Sequence, residues 1–152
     1  MTKDLKSKKV LVVEDDPSYS KLWGRLLKTL GLKKYWICPT IEEARVHLQH
    51  SKPDFVVSDV ILPDGNGYQI AEEVRRENPK VCVLLTTGYK TDLTRFDLKN
   101  PSFHLLYKPY QNLEQLKTFL LRLLAGEDPS QDADETSFSE NEDYPEITEW
   151  TL

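Results

Sequence analysis

Four short apolar runs of this 152-residue chain each lead into residues able to do chemistry. Lys9–Val13 runs into Glu14, Asp15 and Asp16. Phe55–Ser58 ends in Asp59. Val81–Leu85 ends in Thr86, Thr87 and Gly88, and Phe103–Tyr107 leads to Lys108 and Pro109. Gathered on one edge, that many carboxylates repel and raise one another's pKa. A hard divalent cation resolves the conflict, because Mg²⁺ prefers oxygen ligands and is usually held by one or two carboxylates plus a phosphate. The set then contains the parts of a phosphoryl-transfer site: metal ligands, a carboxylate nucleophile, a hydroxyl donor and a positive charge. Taken singly, Asp15 or Asp16 can cap a helix, Asp59 can cap a turn, and Lys108 can be a solvated charge. Matched chemistry at four separate strand ends argues against coincidence.

The elements that must position these residues are legible in the apolar patterning. Lys9–Val13, Tyr35–Cys38, Phe55–Asp59, Val81–Thr86 and Phe103–Tyr107 read as five buried strands. Between them lie helical patterns. Pro17–Leu30 carries Leu22, Leu26, Leu27 and Leu30, with Asp16 as N-cap and Gly31 as stop. Thr40 and Glu43 form a capping-box signature for a helix to about His50. Tyr68–Glu77 carries Ile70 and Val74. Thr91–Leu98 is a short helix ended by Asn100-Pro101. Asn112 and Gln115 open a last helix with Leu113, Leu116, Phe119, Leu120, Leu123 and Leu124 as its stripe. Strict strand–helix alternation predicts an α/β fold, a five-stranded parallel sheet with helices on both faces. Ligands of such folds bind beyond the carboxyl ends of the strands.

Composition narrows the function classes. The net charge of −5 divides unevenly: residues 126–152 hold ten acids and no Lys or Arg, leaving 15 acids against all 20 bases in residues 1–125. The expectation is a folded unit over 1–125 and a disordered acidic tail over 126–152, too poor in aliphatics to offset its ordering entropy. Its apolar tip, with Trp150, suits docking on a partner or on the basic body. No apolar run approaches the roughly 18 residues of a membrane span, and the basic start lacks a signal-peptide core. The bases form no nucleic-acid footprint. Cys38 and Cys82 fit buried reduced thiols. The expectation is a cytoplasmic protein with no direct nucleic-acid contact and no membrane insertion.

VLVVEDDP over Val10–Pro17, SDVILPDGNG over Ser58–Gly67, LTTG over Leu85–Gly88 and YKPY over Tyr107–Tyr110 together resemble the receiver domain of two-component response regulators. The resemblance covers about residues 8–125. It implies a flavodoxin-like sheet of order 2-1-3-4-5. It implies Asp59 as the aspartate that accepts a phosphoryl group from a sensor histidine kinase or histidine phosphotransfer protein. Asp15 then touches Mg²⁺, Glu14 acts largely through water, and the Ile61 backbone carbonyl is the third protein ligand. Thr87 is the switch hydroxyl and Lys108 pairs with a phosphoryl oxygen, often next to a cis bond in this family. One departure stands out: the family usually has Phe or Tyr three residues before the lysine, where this chain has Leu105.

The expected function is that of a single-domain response regulator, signalling by phosphorylation-dependent protein contacts or phosphorelay, since the acidic tail leaves no length for an output domain. Beyond catalysing its own phosphorylation and dephosphorylation at Asp59, it is not expected to be an enzyme. The alternative is a pseudo-receiver, an interaction module working independently of phosphorylation, which Leu105 favours. A phosphatase with an aspartate nucleophile would carry a second acid two residues on, where this chain has Ile61. A flavin site would need a hydroxyl-rich loop in place of Glu14–Asp16.

Overall fold

A computed structural model describes residues 5–88 and 103–127. After one 3-10 turn at Leu5–Ser7, the described residues form seven strands and four helices. The strands are β1 (Lys9–Val13), β2 (Lys34–Cys38), β3 (Phe55–Asp59), β4 (Ile61–Leu62), β5 (Gly65–Asn66), β6 (Cys82–Thr87) and β7 (Phe103–Tyr107). The helices are α1 (Pro17–Thr29), α2 (Ile41–His50), α3 (Gly67–Glu77) and α4 (Leu113–Leu124). Five strands form one sheet in the order β2-β1-β3-β6-β7, every pair parallel. Counting sheet strands alone, this is the flavodoxin-like order 2-1-3-4-5. The two-residue strands β4 and β5 pair antiparallel beside it, after Asp59.

Burial explains which runs take the centre. β1, β3 and β6 are buried nearly throughout, as strands covered on both faces must be, whereas β2 and β7 lie at the edges and are only partly covered. Side chains alternate between the faces. Val10, Val12, Phe55, Val57, Leu84 and Leu106 meet Trp23, Leu26 and Leu27 of α1 and Leu116, Leu120 and Leu123 of α4. Leu11, Val13, Val56, Val83 and Leu85 meet Ile41 and Ala44 of α2 and Ile70, Ala71 and Val74 of α3. Each fully buried side chain of this size contributes roughly 1.5–3 kcal/mol.

Two details depart from the apolar pattern. Trp23, absent from the leucine stripe of α1, is its fully buried anchor, with Leu22 only partly covered. Leu113, expected in the stripe of α4, is 42% exposed in the first helical turn, and the buried stripe begins at Leu116. Helix starts follow the expected chemistry. Asp16 Oδ1 accepts from the Ser18 and Tyr19 N–H groups at 2.8 and 3.4 Å. Thr40 accepts from Glu43 N–H, and Asn112 from Gln115 N–H. The full capping box belongs to α3, where Asn66 and Gln69 exchange bonds. The segment Thr91–Leu98 and residues 128–152 of the expected tail, with Trp150, lie outside the described residues. Cys38 and Cys82 are not joined in a disulfide, and burial pushes the Cys38 thiol up to about 11, which keeps it protonated and inert.

Candidate functional site

The strand alternation also aims the site. Continuing β1 from Val12 brings Glu14 to the α1/α4 face. The same step leads from Val57 to Asp59, from Leu84 to Thr86 and from Leu106 to Lys108. Four polar residues from four strands therefore leave the sheet on one side of its carboxyl edge. Glu14 and Asp59 are 2% and 8% exposed, and Thr86 is buried.

Lys108 joins them. Its Nζ lies 3.0 Å from Asp59 Oδ2 and donates to Glu14 Oε2 at 3.2 Å. Glu14 Oε1 is 2.9 Å from the same nitrogen but off hydrogen-bond geometry. That buried oxygen has no hydrogen-bond partner among the described residues. Thr86 Oγ1 donates to Asp59 Oδ1 at 3.2 Å, from the position directly paired with Asp59 in the ladder. The Lys108–Pro109 peptide is cis.

Burial first of all pushes the Asp59 carboxyl up; Lys108 opposes it and Glu14 adds to it, leaving it at about 7. Burial works against the Lys108 ammonium, but Asp59 and Glu14 outweigh it and hold the lysine above its ordinary range. Asp15 is exposed, and its carboxylate completes a cluster with Glu14 and Asp59 in which the oxygens lie within 4.8 Å of one another. Three carboxylates against one ammonium leave excess negative charge. That excess, the oxygen-only donors and the orphaned Glu14 Oε1 fit a hard divalent cation. Asp16 is outside this set because its side chain caps α1.

The scaffold around Asp59 is tight. Ser58 Oγ donates to the Asp59 carbonyl at 3.0 Å. Gly67 opens α3 against that carbonyl, and a Cβ there would lie 2.1 Å from Asp59 O and 2.5 Å from Ser58 Oγ. The turn between β4 and β5 is tied to α2 by Asp64, whose carboxylate accepts from the Ile41 and Glu42 N–H groups at 2.9 and 3.0 Å. The Ile41 bond leads in holding its pKa low. Ile61 stands in β4, two residues past Asp59, with a 45% exposed side chain.

Thr87 is buried at the end of β6, and its carbonyl accepts from Lys108 N–H at 2.9 Å. It has the parity of Val83 and Leu85 along β6. The contact of Thr86 with Asp59 was missed from sequence. The signal available was the Thr-Thr pair; choosing between its members required the register. Leu105 packs against the α2/α3 core cluster.

A family model, the response regulator receiver domain, matches residues 10–120. The chain belongs to this family. The receiver domain is similar to the probable C4-dicarboxylate response regulator DctR of Bacillus subtilis, 28% identical over 134 residues, 82% of this chain and 58% of that protein. It is similar to response regulator Rre1 of Synechocystis, 29% identical over 150 residues, 91% of this chain and 61% of that protein. It thus spans less than two thirds of either relative. Among solved structures, the receiver domain of Erythrobacter litoralis PhyR matches with a TM-score of 0.67 at 27% identity, over 78% of this chain and 90% of that one. The BeF3-activated receiver domain of DrrB matches with a TM-score of 0.64 at 27% identity, over 77% and 97%. None of the helices in the described residues is long and apolar enough to cross a membrane.

Proposed function

We propose that this receiver domain accepts a phosphoryl group on Asp59 from a phosphohistidine of a sensor kinase or phosphotransfer protein, with Mg²⁺, in the cytoplasm. It would then signal through protein contacts that depend on the phosphoryl group, or pass that group on as a relay step. The observation that carries the reading is one ammonium, Lys108, bridging Asp59 and Glu14 from residues 49 and 94 positions away, with Asp15 completing the carboxylate cluster.

In the transfer an Asp59 carboxylate oxygen forms the new P–O bond as the P–N bond to the donor imidazole breaks. The imidazole nitrogen leaves with the bonding pair and is protonated from solvent. The state in between is loose, with charge on the equatorial phosphoryl oxygens. Lys108 already sits within reach of the acceptor oxygen and would turn from Asp59 Oδ2 to a phosphoryl oxygen. Thr86 holds the other carboxylate oxygen, so the carboxylate plane is set before the donor arrives. Thr87, one residue on, is the proposed switch hydroxyl. Glu14, Asp15, Asp59 and the Ile61 carbonyl would hold Mg²⁺, which neutralises phosphoryl charge and favours the ionised acceptor when bound.

The test is labelling with acetyl phosphate in Mg²⁺. Wild type should take up one phosphoryl group and Asp59→Asn none. An unlabelled wild type, or a labelled Asp59→Asn, refutes the assignment. The DrrB receiver was solved in a BeF3-activated form, and beryllofluoride is the corresponding non-transferable probe for partner binding.

A further inference from the structure

We infer that Tyr19 is a positioning residue for Lys108, holding the ammonium over the acceptor through its ring. Lys108 Nζ lies 4.2 Å from the centroid of the Tyr19 ring, well inside the distance at which a ring face attracts a cation. The ring is itself held. The Tyr19 N–H is capped by Asp16, the same residue that starts α1 next to the acidic pair. Tyr110 packs edge-on against Tyr19 at 5.2 Å and 74°. The Tyr110 hydroxyl accepts from Trp23 Nε1 at 3.1 Å, and Trp23 is fully buried. A row of three aromatics therefore runs from the core of α1 to the lysine.

The chemistry gives this ring a task the carboxylates cannot perform. Lys108 is a point charge on a flexible four-carbon stem. Among the described residues, three groups surround its ammonium: Asp59, Glu14 and Tyr19. Asp59 is consumed as the acceptor, and Glu14 is a carboxylate that a divalent cation would claim. The Tyr19 ring alone keeps its identity from start to end of the transfer. It confines the ammonium when its anionic partners change, so the lysine meets the phosphoryl oxygens without a search through rotamers.

The kinetic consequence rests on the phosphoryl-acceptor reading; the geometry does not, and the test separates them. In the metal-free 152-residue chain, NMR should find the Lys108 ε-methylene protons displaced by the ring current. Tyr19→Phe should keep that displacement and Tyr19→Leu abolish it. With acetyl phosphate and saturating Mg²⁺, Tyr19→Leu should take up phosphoryl about five- to tenfold more slowly, and Tyr19→Phe within about twofold of wild type. Loss of apolar packing alone would not be rescued in this pattern, because Leu is apolar too. Ring-shifted signals that persist in Tyr19→Leu overturn the inference. So does a Tyr19→Leu variant as fast as wild type, or a Tyr19→Phe variant as slow as Tyr19→Leu. A wild type that shows the ring shift but takes no label refutes the acceptor reading and leaves the Tyr19–Lys108 geometry supported.

Discussion

Thr86 and Asp59 face each other across the β3–β6 ladder, and the threonine hydroxyl holds Asp59 Oδ1 at 3.2 Å. Thr86→Val keeps the shape and removes the donor, leaving the buried Asp59 Oδ1 a partner short. The expected cost is roughly 1–3 kcal/mol in urea denaturation, with the Asp59 pKa rising further. Thr87→Val leaves this contact intact and should leave that pKa where it is. Equal Asp59 titrations in both variants, followed by carboxyl-carbon NMR, would refute this division of labour.

Lys108 is the sole ammonium among the described residues that meets both buried carboxylates. Lys108→Met would strand Glu14 and Asp59 as buried charges without their cation. Removing one partner of such a cluster costs about 3–5 kcal/mol. The variant should be markedly less stable at pH 8 than at pH 5, where Asp59 can take up a proton. Adding Asp59→Asn to it should recover part of the loss, and thermal unfolding of the single and double variants measures this.

A raised carboxyl makes the metal-free fold sensitive to pH, with a definite sign. The Asp59 pKa is about 7 folded, against an ordinary value near 3.8. Between these pH values the folded chain keeps a proton that the unfolded chain has lost. Stability from this group is therefore present below pH 4 and falls as pH rises to 7, by up to about 1.4 kcal/mol per unit. Asp59→Asn should flatten the curve in that window and raise the melting temperature at pH 8. A wild type whose Asp59-dependent stability increases from pH 4 to pH 7 would contradict the assignment.

Asp15 and Glu14 should separate metal binding from folding. Asp15 is exposed, so Asp15→Asn should change metal-free stability by less than about 0.5 kcal/mol. Wild type should gain melting temperature with Mg²⁺, since a ligand at a hundred times its Kd adds about 2.7 kcal/mol. Asp15→Asn should lose most of that gain at equal Mg²⁺. An undiminished Mg²⁺ effect in this variant would remove Asp15 from the site.

Gly67 is required by space and not by backbone angle. A methyl group there would overlap the Asp59 carbonyl and the Ser58 hydroxyl. Gly67→Ala must push the start of α3 away from the end of β3, at a cost of about 1–3 kcal/mol. Because Asp59 is at that strand end, phosphoryl uptake should fall together with stability, which parallel labelling and denaturation would register. Full activity in a stable Gly67→Ala variant would mean that α3 tolerates the shift.

The sequence by itself carried the alternation of strands and helices, because apolar periodicity is a local property that burial on one or two faces imposes directly. It carried the chemistry of the strand ends for the same reason: a polar residue that follows an apolar run is visible without partners. Asp16 as the cap of α1 was equally legible from Asp-Pro spacing. The tertiary structure decided which residues meet. Thr86 meets Asp59 because the β3–β6 register pairs the two positions directly and the two-residue side-chain period sends both side chains to one face. Trp23 anchors α1 because the helix is rotated to bury its largest side chain, which a leucine stripe does not reveal. Tyr19 faces Lys108 because α1 and the segment after β7 converge at the sheet edge. Such contacts depend on the approach of segments far apart in the chain, and no local pattern encodes that approach.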